Sequence, residues 1–467
     1  MGDRARRRGA SFLGAATDRL RAGRRWGRGV GSDPGCPLPP GPARGKRVTP
    51  PPVPVLSETA TALSILSILL VPLAIAGLSL INSGLGRSRS AAHSMLASLC
   101  VMAVASVAYF ICGFSWQGFM GQPAHVFTAA GREWNWIAAE PFFLRAIKLD
   151  GSPASLAAWL GILGVGLAAI IPLGAGADRW RLGASCGSTA LLAGWTYPLF
   201  AHWVWGGGWL AQLGSNCGLG RGFVDAGGSS SIQTLGGLTA LAITLILGPR
   251  RGKYTLEGTP AAIPGHNAVL VMFGGLLALV GWTGLNSAGA ILFAGAEPGS
   301  VALIAVNTML AAAGAALATA LITRLRFGKP DASLSANGWV SGLAASSAAC
   351  AFVRPAAALA IGLVAGALVP FAVECFELRL GVDDPGGAIS VHAVGGIWGV
   401  MAVGLFAHLS PGAIGKQRFR PVARATGGRR HTGRFCAAAD LRLELDFESG
   451  LPATRGREGR APGHGPL

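Results

Sequence analysis

One pattern is written twice in this chain. Asp225-Ala-Gly-Gly-Ser-Ser-Ser-Ile-Gln233-Thr-Leu-Gly236-Gly237 and Asp384-Pro-Gly-Gly-Ala-Ile-Ser-Val-His392-Ala-Val-Gly395-Gly396 both read Asp-x-Gly-Gly-x-x-Ser-[Ile/Val]-[Gln/His]-x-x-Gly-Gly. Each opens an apolar stretch long enough to cross a bilayer. Each places a polar side chain, Gln233 or His392, at the same depth inside that stretch. Polar groups at membrane depth are costly and mark function. A paired motif in two halves of a membrane protein points to an internal repeat with the site between the halves.

Apolar spans are expected at about 59–82, 92–114, 154–173, 184–204, 229–248, 266–286, 301–323, 336–353, 355–376 and 388–408. With 51% hydrophobic and 13% charged residues, this is an all-α polytopic membrane protein in its middle. The motif opens spans 5 and 10, so each half holds five spans. An odd number inverts the second half on the first, which brings Gln233 and His392 toward each other near a pseudo-two-fold axis in the membrane plane. Residues 1–55, rich in Arg, Gly and Pro, are expected to be a disordered tail or a mis-called start, with no signal peptide. Residues 56–410 form the membrane domain, and 411–467 are a polar Arg- and Gly-rich tail.

Loop charge orients the spans. Arg87, Arg89, Arg179, Arg181, Arg250, Arg251, Lys253, Arg324, Arg326 and Lys329 follow spans 1, 3, 5 and 7, whereas the short loops after spans 4, 6 and 8 carry only Arg221 and Arg354. The odd-numbered loops are therefore expected in the cytoplasm and span 1 starts outside. The net charge of +18 sits mostly in the termini, so nucleic acid is not expected as a partner. The eight Cys show no metal spacing; Cys100, Cys112, Cys186, Cys350 and Cys375 lie in apolar spans and read as small buried hydrophobes. No metal or cofactor is expected, and no nucleophile–base set suggests an enzyme.

Asp225 and Asp384 can cap the free N–H groups of the helices they open, or help a dehydrating cation at a pore entrance. The Gly pairs suit close helix packing. Gln233 and His392 can both donate and accept hydrogen bonds, and only His392 can change protonation state. In His202-Trp203-Val-Trp205-Gly-Gly-Gly-Trp209, the rings either anchor the helix at the interface or hold a small cation against Trp205, with the Gly triplet allowing close approach. Gly281-Trp282-Thr283-Gly-Leu285-Asn286 closes span 6 and leaves Asn286 at its end.

From about 59 to 406 these residues together resemble the Amt/Mep/Rh ammonium transporter family. The likeness rests on Ala-His-Trp-Val-Trp-Gly-Gly-Gly, Asp-x-Gly-Gly before span 5, Gly-Trp-x-Gly-x-Asn in span 6, Gly-Lys-Pro after span 7, and Val-Asp-Asp-Pro-Gly-Gly with Val-His-x-Val-Gly-Gly in span 10. The resemblance implies a homotrimer in the inner (plasma) membrane, surrounded by lipid, with one narrow pore per subunit. Ammonium is recruited beside a Trp, passes stacked Phe rings and gives up its proton, and ammonia crosses along two His. Carried over, Trp205 matches the recruiting Trp, Asp225 the Asp at the outer mouth, His392 the second pore His and Asn286 the span-6 Asn. Gln233 replaces the first pore His, Gly164 and Leu285 replace the gate Phe pair, and Gly289 replaces the recruiting Ser. The family's eleventh span is not apparent, so a frameshift or divergent ending is expected. With ten spans the chain would end outside, which argues against regulation by a cytoplasmic P-II signal protein. Ammonium or ammonia transport past Gln233 and His392 leads; a transport-weak ammonium sensor and an Rh-like gas channel are the alternatives.

Overall fold

The computed structural model describes residues 56–409. The expectations for 1–55 and 411–467 fall outside the described residues. Within them the chain runs through ten helical rods. These are α1 Glu58–Leu85, α2 Ser88–Gln117, α3 Pro153–Ala175, α4 (Leu182–Leu191, Leu192–Thr196 and Tyr197–Val204 in one line) and α5 Ser229–Leu247 in the first half. The second half holds α6 Ala268–Ala294, α7 Pro298–Phe327, α8 Ala332–Ser346, α9 Pro355–Arg379 and α10 Ile389–Phe406. Among the described residues, eight of these rods are long and apolar enough to cross a membrane; α4 and α8 fall short of that measure.

Local chemistry sets the helix starts. Ser57 accepts a hydrogen bond from the Ala60 N–H, Asn267 from Leu270 and Asp331 from Leu334, each filling a free donor of a first turn. Ser152 does the same for α3, where Pro153 stands at a position whose N–H would be unpaired anyway.

The halves pack as an inverted repeat. α1 lies along α6, and α5 lies against α10. α1 packs on α3 as α6 packs on α8, and α2 on α4 as α7 on α9. Small residues make the closest seams. A methyl group at Gly77 would strike the Gly274 carbonyl and Ala278, and one at Gly281 would strike Ala74. In lipid there is little hydrophobic drive between helices, so this backbone approach supplies the packing. The Gly pairs obey the same symmetry. Gly236 faces Ile171 of α3 and Gly395 faces Ser341 of α8, while Gly237 meets Ala393 of α10 and Gly396 meets Thr234 of α5.

Two span ends differ from expectation. α6 runs on to Ala294, so Asn286 lies inside the helix, fully buried, and not at its end. The helix continues through Gly289, where a methyl would meet the Ala226 carbonyl and Gly227, so α6 passes close to that backbone. α8 stops at Ser346, and the following backbone serves the start of α5: the Ala348 and Ser347 carbonyls accept the Ala226 and Gly227 N–H groups at 3.2 and 2.7 Å. The Gly386 N–H donates to the Gly174 carbonyl at 3.1 Å at the opposite end, again as its inverted counterpart. Of the cysteines expected to be buried, Cys350 is, whereas Cys100, Cys112 and Cys186 are half-buried and Cys375 is exposed.

The loop between α2 and α3 holds an unexpected hairpin, β1 Ala124–Ala129 and β2 Arg132–Ala138. Ala130 and Gly131 turn it at φ 53° and 72°, the two left-handed positions of a tight hairpin. Asn135 pins it beside the Gly triplet, donating from Nδ2 to the Gly207 carbonyl and from its backbone to Gln212.

Candidate functional site

Gln233 and His392 meet at the contact between α5 and α10. His392 Nδ1 lies 2.8 Å from Gln233 Oε1, and both side chains are buried. An amide oxygen only accepts, so Nδ1 carries the hydrogen and Nε2 keeps a lone pair. The Gln233 Nε2 amide is buried with no partner among the described residues. The pair therefore presents one free donor group and one free acceptor. Each side chain sits in a π-helical first turn, Ser229–Thr234 or Ile389–Val394. Such wide turns recur at functional sites. Trp282 of α6 stacks beside His392, ring centres 6.4 Å apart, and its Nε1 donates to Ser347 Oγ at 3.1 Å.

Asp225 is a full cap. One carboxylate oxygen accepts the Gly228 and Ser229 N–H groups and the other accepts those of Ser230 and Ser231, at 2.8–3.1 Å. The Ser230 hydroxyl donates to the second oxygen as well. Its carbonyl accepts the Trp205 indole N–H at 2.7 Å, which fixes that ring. Asp384 repeats the cap at the far end of the pair, accepting from Ala388 and Ile389.

Trp205 is buried, and one of its faces is covered by Phe293 of α6, with ring centres 4.5 Å apart and planes 7° from parallel. Below lies a small cavity lined by Leu160, Gly161, Tyr197, Ile232, Leu285 and Gly289 among others. Asn286 Nδ2 donates to Thr308 Oγ1 at 2.9 Å, while its Oδ1 is buried without a partner among the described residues. The Gly triplet after Trp205 is demanded by packing: a methyl at Gly206 would meet the Gln117 carbonyl and the His202 ring, and Gly207 has φ 82°.

Positions along α6 give the order of these parts. Trp282 is level with His392, Leu285 and Gly289 line the cavity, and Phe293 reaches Trp205. At 1.5 Å per residue, Trp205 stands roughly 16 Å from the polar pair.

The opposite end is tied by charge. Arg250 Nε and Nη2 hold the two Asp383 oxygens at 2.9 and 3.0 Å, and its Nη1 reaches Asp178 at 3.2 Å. Arg179 adds a bond to the Asp383 carbonyl at 2.7 Å, and the Arg87 N–H donates to Asp178. Loops after α1, α3 and α5 and the start of α10 are joined. Burial alone would raise the Asp383 carboxyl, but the Arg250 hydrogen bonds and charge, aided by Arg179, hold it below the usual range. Asp178 is lowered against the same burial cost by Arg87, Ser90 and Arg250. Asp384 is pushed up to about 6 by burial, only partly offset by its two N–H donors.

The structure thus brings Gln233 and His392 together, and Trp205 and Asp225 together, with Leu285 between the two groups and Asn286 behind Gly227. Tyr197 and Phe293 were not picked out from the sequence. Gly164 on α3 was the signal for Tyr197, as Gly161 one turn earlier is for Tyr109; no such mark pointed to Phe293. A methyl at Gly161 would collide with the Tyr109 hydroxyl, and one at Gly164 would lie 2.8 Å from the Tyr197 hydroxyl. The Tyr197 hydroxyl from α4 occupies the space that the absent side chain leaves beside Gly164.

Inverted five-helix halves, mirrored helix starts and a buried amide–imidazole pair between them define a multi-pass membrane protein of the inverted-repeat transport type. Residues 62–431 match the model of the Ammonium Transporter Family. Ammonium transporter Amt2 of Archaeoglobus fulgidus is 38% identical over 341 residues, 72% of this chain and 69% of that protein. An ammonium transporter of Bacillus subtilis is 31% identical, over 74% of this chain and 80% of its own length. Among solved structures, a sensor Amt protein aligns with TM-score 0.66 and 28% identity, covering 75% of this chain and 83% of its own. Mep2 of Candida albicans aligns at 0.64 and 26%, covering 76% and 74%. The chain belongs to the Ammonium Transporter Family.

Proposed function

We propose that the chain moves ammonium nitrogen across the plasma membrane, as ammonia, through a narrow route in each subunit of a homotrimer. The observation that carries this is the 2.8 Å bond between His392 and Gln233, which leaves one donor and one acceptor unspent between the repeats. Ammonia both accepts and donates, so it can take a hydrogen from Gln233 Nε2 and offer one to His392 Nε2. Family membership and the names of the transporters above support ammonium as substrate. With the arginine-rich loops in the cytoplasm, Trp205 and Asp225 stand at the outer mouth and recruit the cation. Both Asp225 oxygens are engaged in the cap, so its help to a cation is through charge.

The polarity of the pair has a consequence. A relay between two imidazoles can hand a proton from one ring to the next. Gln233 cannot be protonated, so the relay ends at His392 and ammonia passes without its proton. Methylammonium uptake in cells lacking their own ammonium transporters tests this reading. Uptake should persist when the proton gradient is collapsed, and His392→Ala should reduce it more than Gln233→Ala. Equal and negligible effects of the two substitutions would refute a route through the pair.

A sensor is the second reading. It is favoured by Gly164 and Leu285 in place of a ring pair and by the likeness to a solved sensor Amt protein. Loss of the ring pair also fits a gas channel of the Rh type. Absence of uptake with retained ammonium binding would select the sensor.

A further inference from the structure

A second motif is written twice in this chain. Gly77-Leu-Ser-Leu-Ile-Asn82-Ser83 in α1 and Gly281-Trp-Thr-Gly-Leu-Asn286-Ser287 in α6 both read Gly-x-[Ser/Thr]-x-[Ile/Leu]-Asn-Ser. Both asparagines are buried, and each spends an amide hydrogen, Asn286 on Thr308 Oγ1 and Asn82 on the Ile170 carbonyl at 3.1 Å. They differ in what lies beyond the free oxygen. Asn286 Oδ1 is closed off by Gly227. Asn82 lines a cavity of about 30 Å³ at the arginine-rich end of the molecule, with His93, Ser94, Asp178, Trp180 and Ser185 among others. Gly174 has no side chain to cover the Asn82 oxygen: a methyl there would stand 2.5 Å from Oδ1. The lining comes from the ends of α1 and α3 and the starts of α2 and α4, and none of it from α5 or α10. The route past Gln233 and His392 therefore does not use this space.

The floor of the cavity is built of acceptors. Asn82, Ser185 and the Asp178 carboxylate are all at least nine-tenths buried. Asp178 accepts from the Arg87 N–H and from Arg250 Nη1, each at 3.2 Å, and a carboxylate has lone pairs left after two bonds. Its backbone is held at φ 69°, a strained setting for a residue with a side chain, of the kind that collects at binding sites. Ser185 gives its hydroxyl hydrogen to the Leu182 carbonyl at 2.8 Å, so its oxygen is left to accept. The rim is the reverse. Arg89 and Arg181 are exposed beside the lining residues Ser90 and Trp180, with no ion pair among the described residues. No side chain caps the first turn of α4 next to them. Outward along α2, Met95, Leu96 and Leu99 are exposed and lead into the apolar span.

An isolated cation suits this site poorly, because Arg87 and Arg250 already balance Asp178. An isolated anion suits it poorly, because the floor offers acceptors. A zwitterion adds no net charge and satisfies both levels. The space has room for one or two water-sized groups, which fits an ammonium head and not a trimethylated one. We propose that this cavity seats the headgroup of an ethanolamine phospholipid, with its ammonium on Asn82 Oδ1 and Asp178, its phosphate at Arg89 and Arg181, and its chains along Leu96 and Leu99. The arginine-rich loops put the lipid in the cytoplasmic leaflet. Nothing in the assignment requires that ammonium be transported. Asp178 belongs to the charge cluster that joins the loops after α1, α3 and α5 to the start of α10, so a seated headgroup braces that end of the fold.

Thermal melting of the full-length protein in detergent reads the binding as each lipid is titrated in. Dioleoyl phosphatidylethanolamine should raise the melting temperature. Its N-methyl, N,N-dimethyl and choline counterparts keep the phosphate and chains but lose N–H donors. They should need progressively more lipid for the same rise, about tenfold across the series. Asn82→Ala removes the free acceptor, and Ser94→Leu fills the cavity from its rim without touching the charge cluster. Each should erase the preference for ethanolamine over choline, and Ser94→Leu decides the matter if Asn82→Ala does not fold. Equal stabilisation by the ethanolamine and choline lipids overturns the proposal, and so does a preference that survives in the folded variants. Phosphatidylglycerol acting as strongly as the ethanolamine lipid would leave a phosphate site only and overturn the ammonium seat. Stabilisation by ammonium chloride without lipid, lost in Asn82→Ala, would overturn the lipid as occupant.

Discussion

At the scale of the residue, three positions show how little a side chain's identity says without its neighbours. Gly289 looks like the loss of a recruiting hydroxyl, but a methyl there would run into the Ala226 carbonyl. Gly289→Ser should therefore fail to strengthen ammonium binding, and should lower the melting temperature by the overpacking cost of about 1–3 kcal/mol. A binding titration beside a melt checks both. Asp225 was open to two roles in the sequence, and the structure fills both of its oxygens with backbone N–H groups. Gln233 and His392 were legible because the repeat fixed their depth. Tyr197 was not, because a tyrosine in an apolar run carries no mark. Its meaning comes from Gly164 on a helix that is distant in sequence.

At the scale of the element, the helices were legible from hydropathy, but their ends were not. α6 runs on past Gly289, which lies close to the backbone of the α5 start. The hairpin 124–138 escaped notice because its strands are short, with their polar alternation blurred by exposed Val126, Phe127 and Trp136. The elements meet most firmly where Arg250 joins Asp383 and Asp178, all nearly buried. Arg250→Ala removes the partner the two carboxylates share, leaving Asp383 to Arg179 and Asp178 to Arg87, and should cost less than the about 3–5 kcal/mol of a fully orphaned buried charge, read from the detergent melt.

The same cluster sets an acid limit with a defined sign. Asp178 and Asp383 are lowered in the fold, so their stabilisation is present above the unfolded value of about 4 and is lost as pH falls below it. Asp384 is raised to about 6, so its contribution is full below about 4 and is lost as pH rises toward 6. Melting temperature should fall below pH 4 in the wild type. Asp384→Asn should flatten the change between pH 4 and 6 and leave the acid fall in place. A variant that keeps the wild-type slope between pH 4 and 6 would refute the assignment.

At the scale of the whole molecule, the inverted repeat explains why one motif opens two helices from opposite ends. Paired helices, Gly contacts and Asp caps all recur under the same inversion, and the axis passes beside a pair of positions where the copies differ in chemistry. That difference, Gln233 against His392, is the centre of the account: a pair that can pass ammonia along but cannot relay its proton. The most direct test is an ammonium concentration jump on proteoliposomes held on a solid-supported electrode, with lumenal pH recorded in parallel. The account predicts lumenal alkalinisation without sustained current, abolished by His392→Ala. A sustained inward current that tracks ammonium would contradict it.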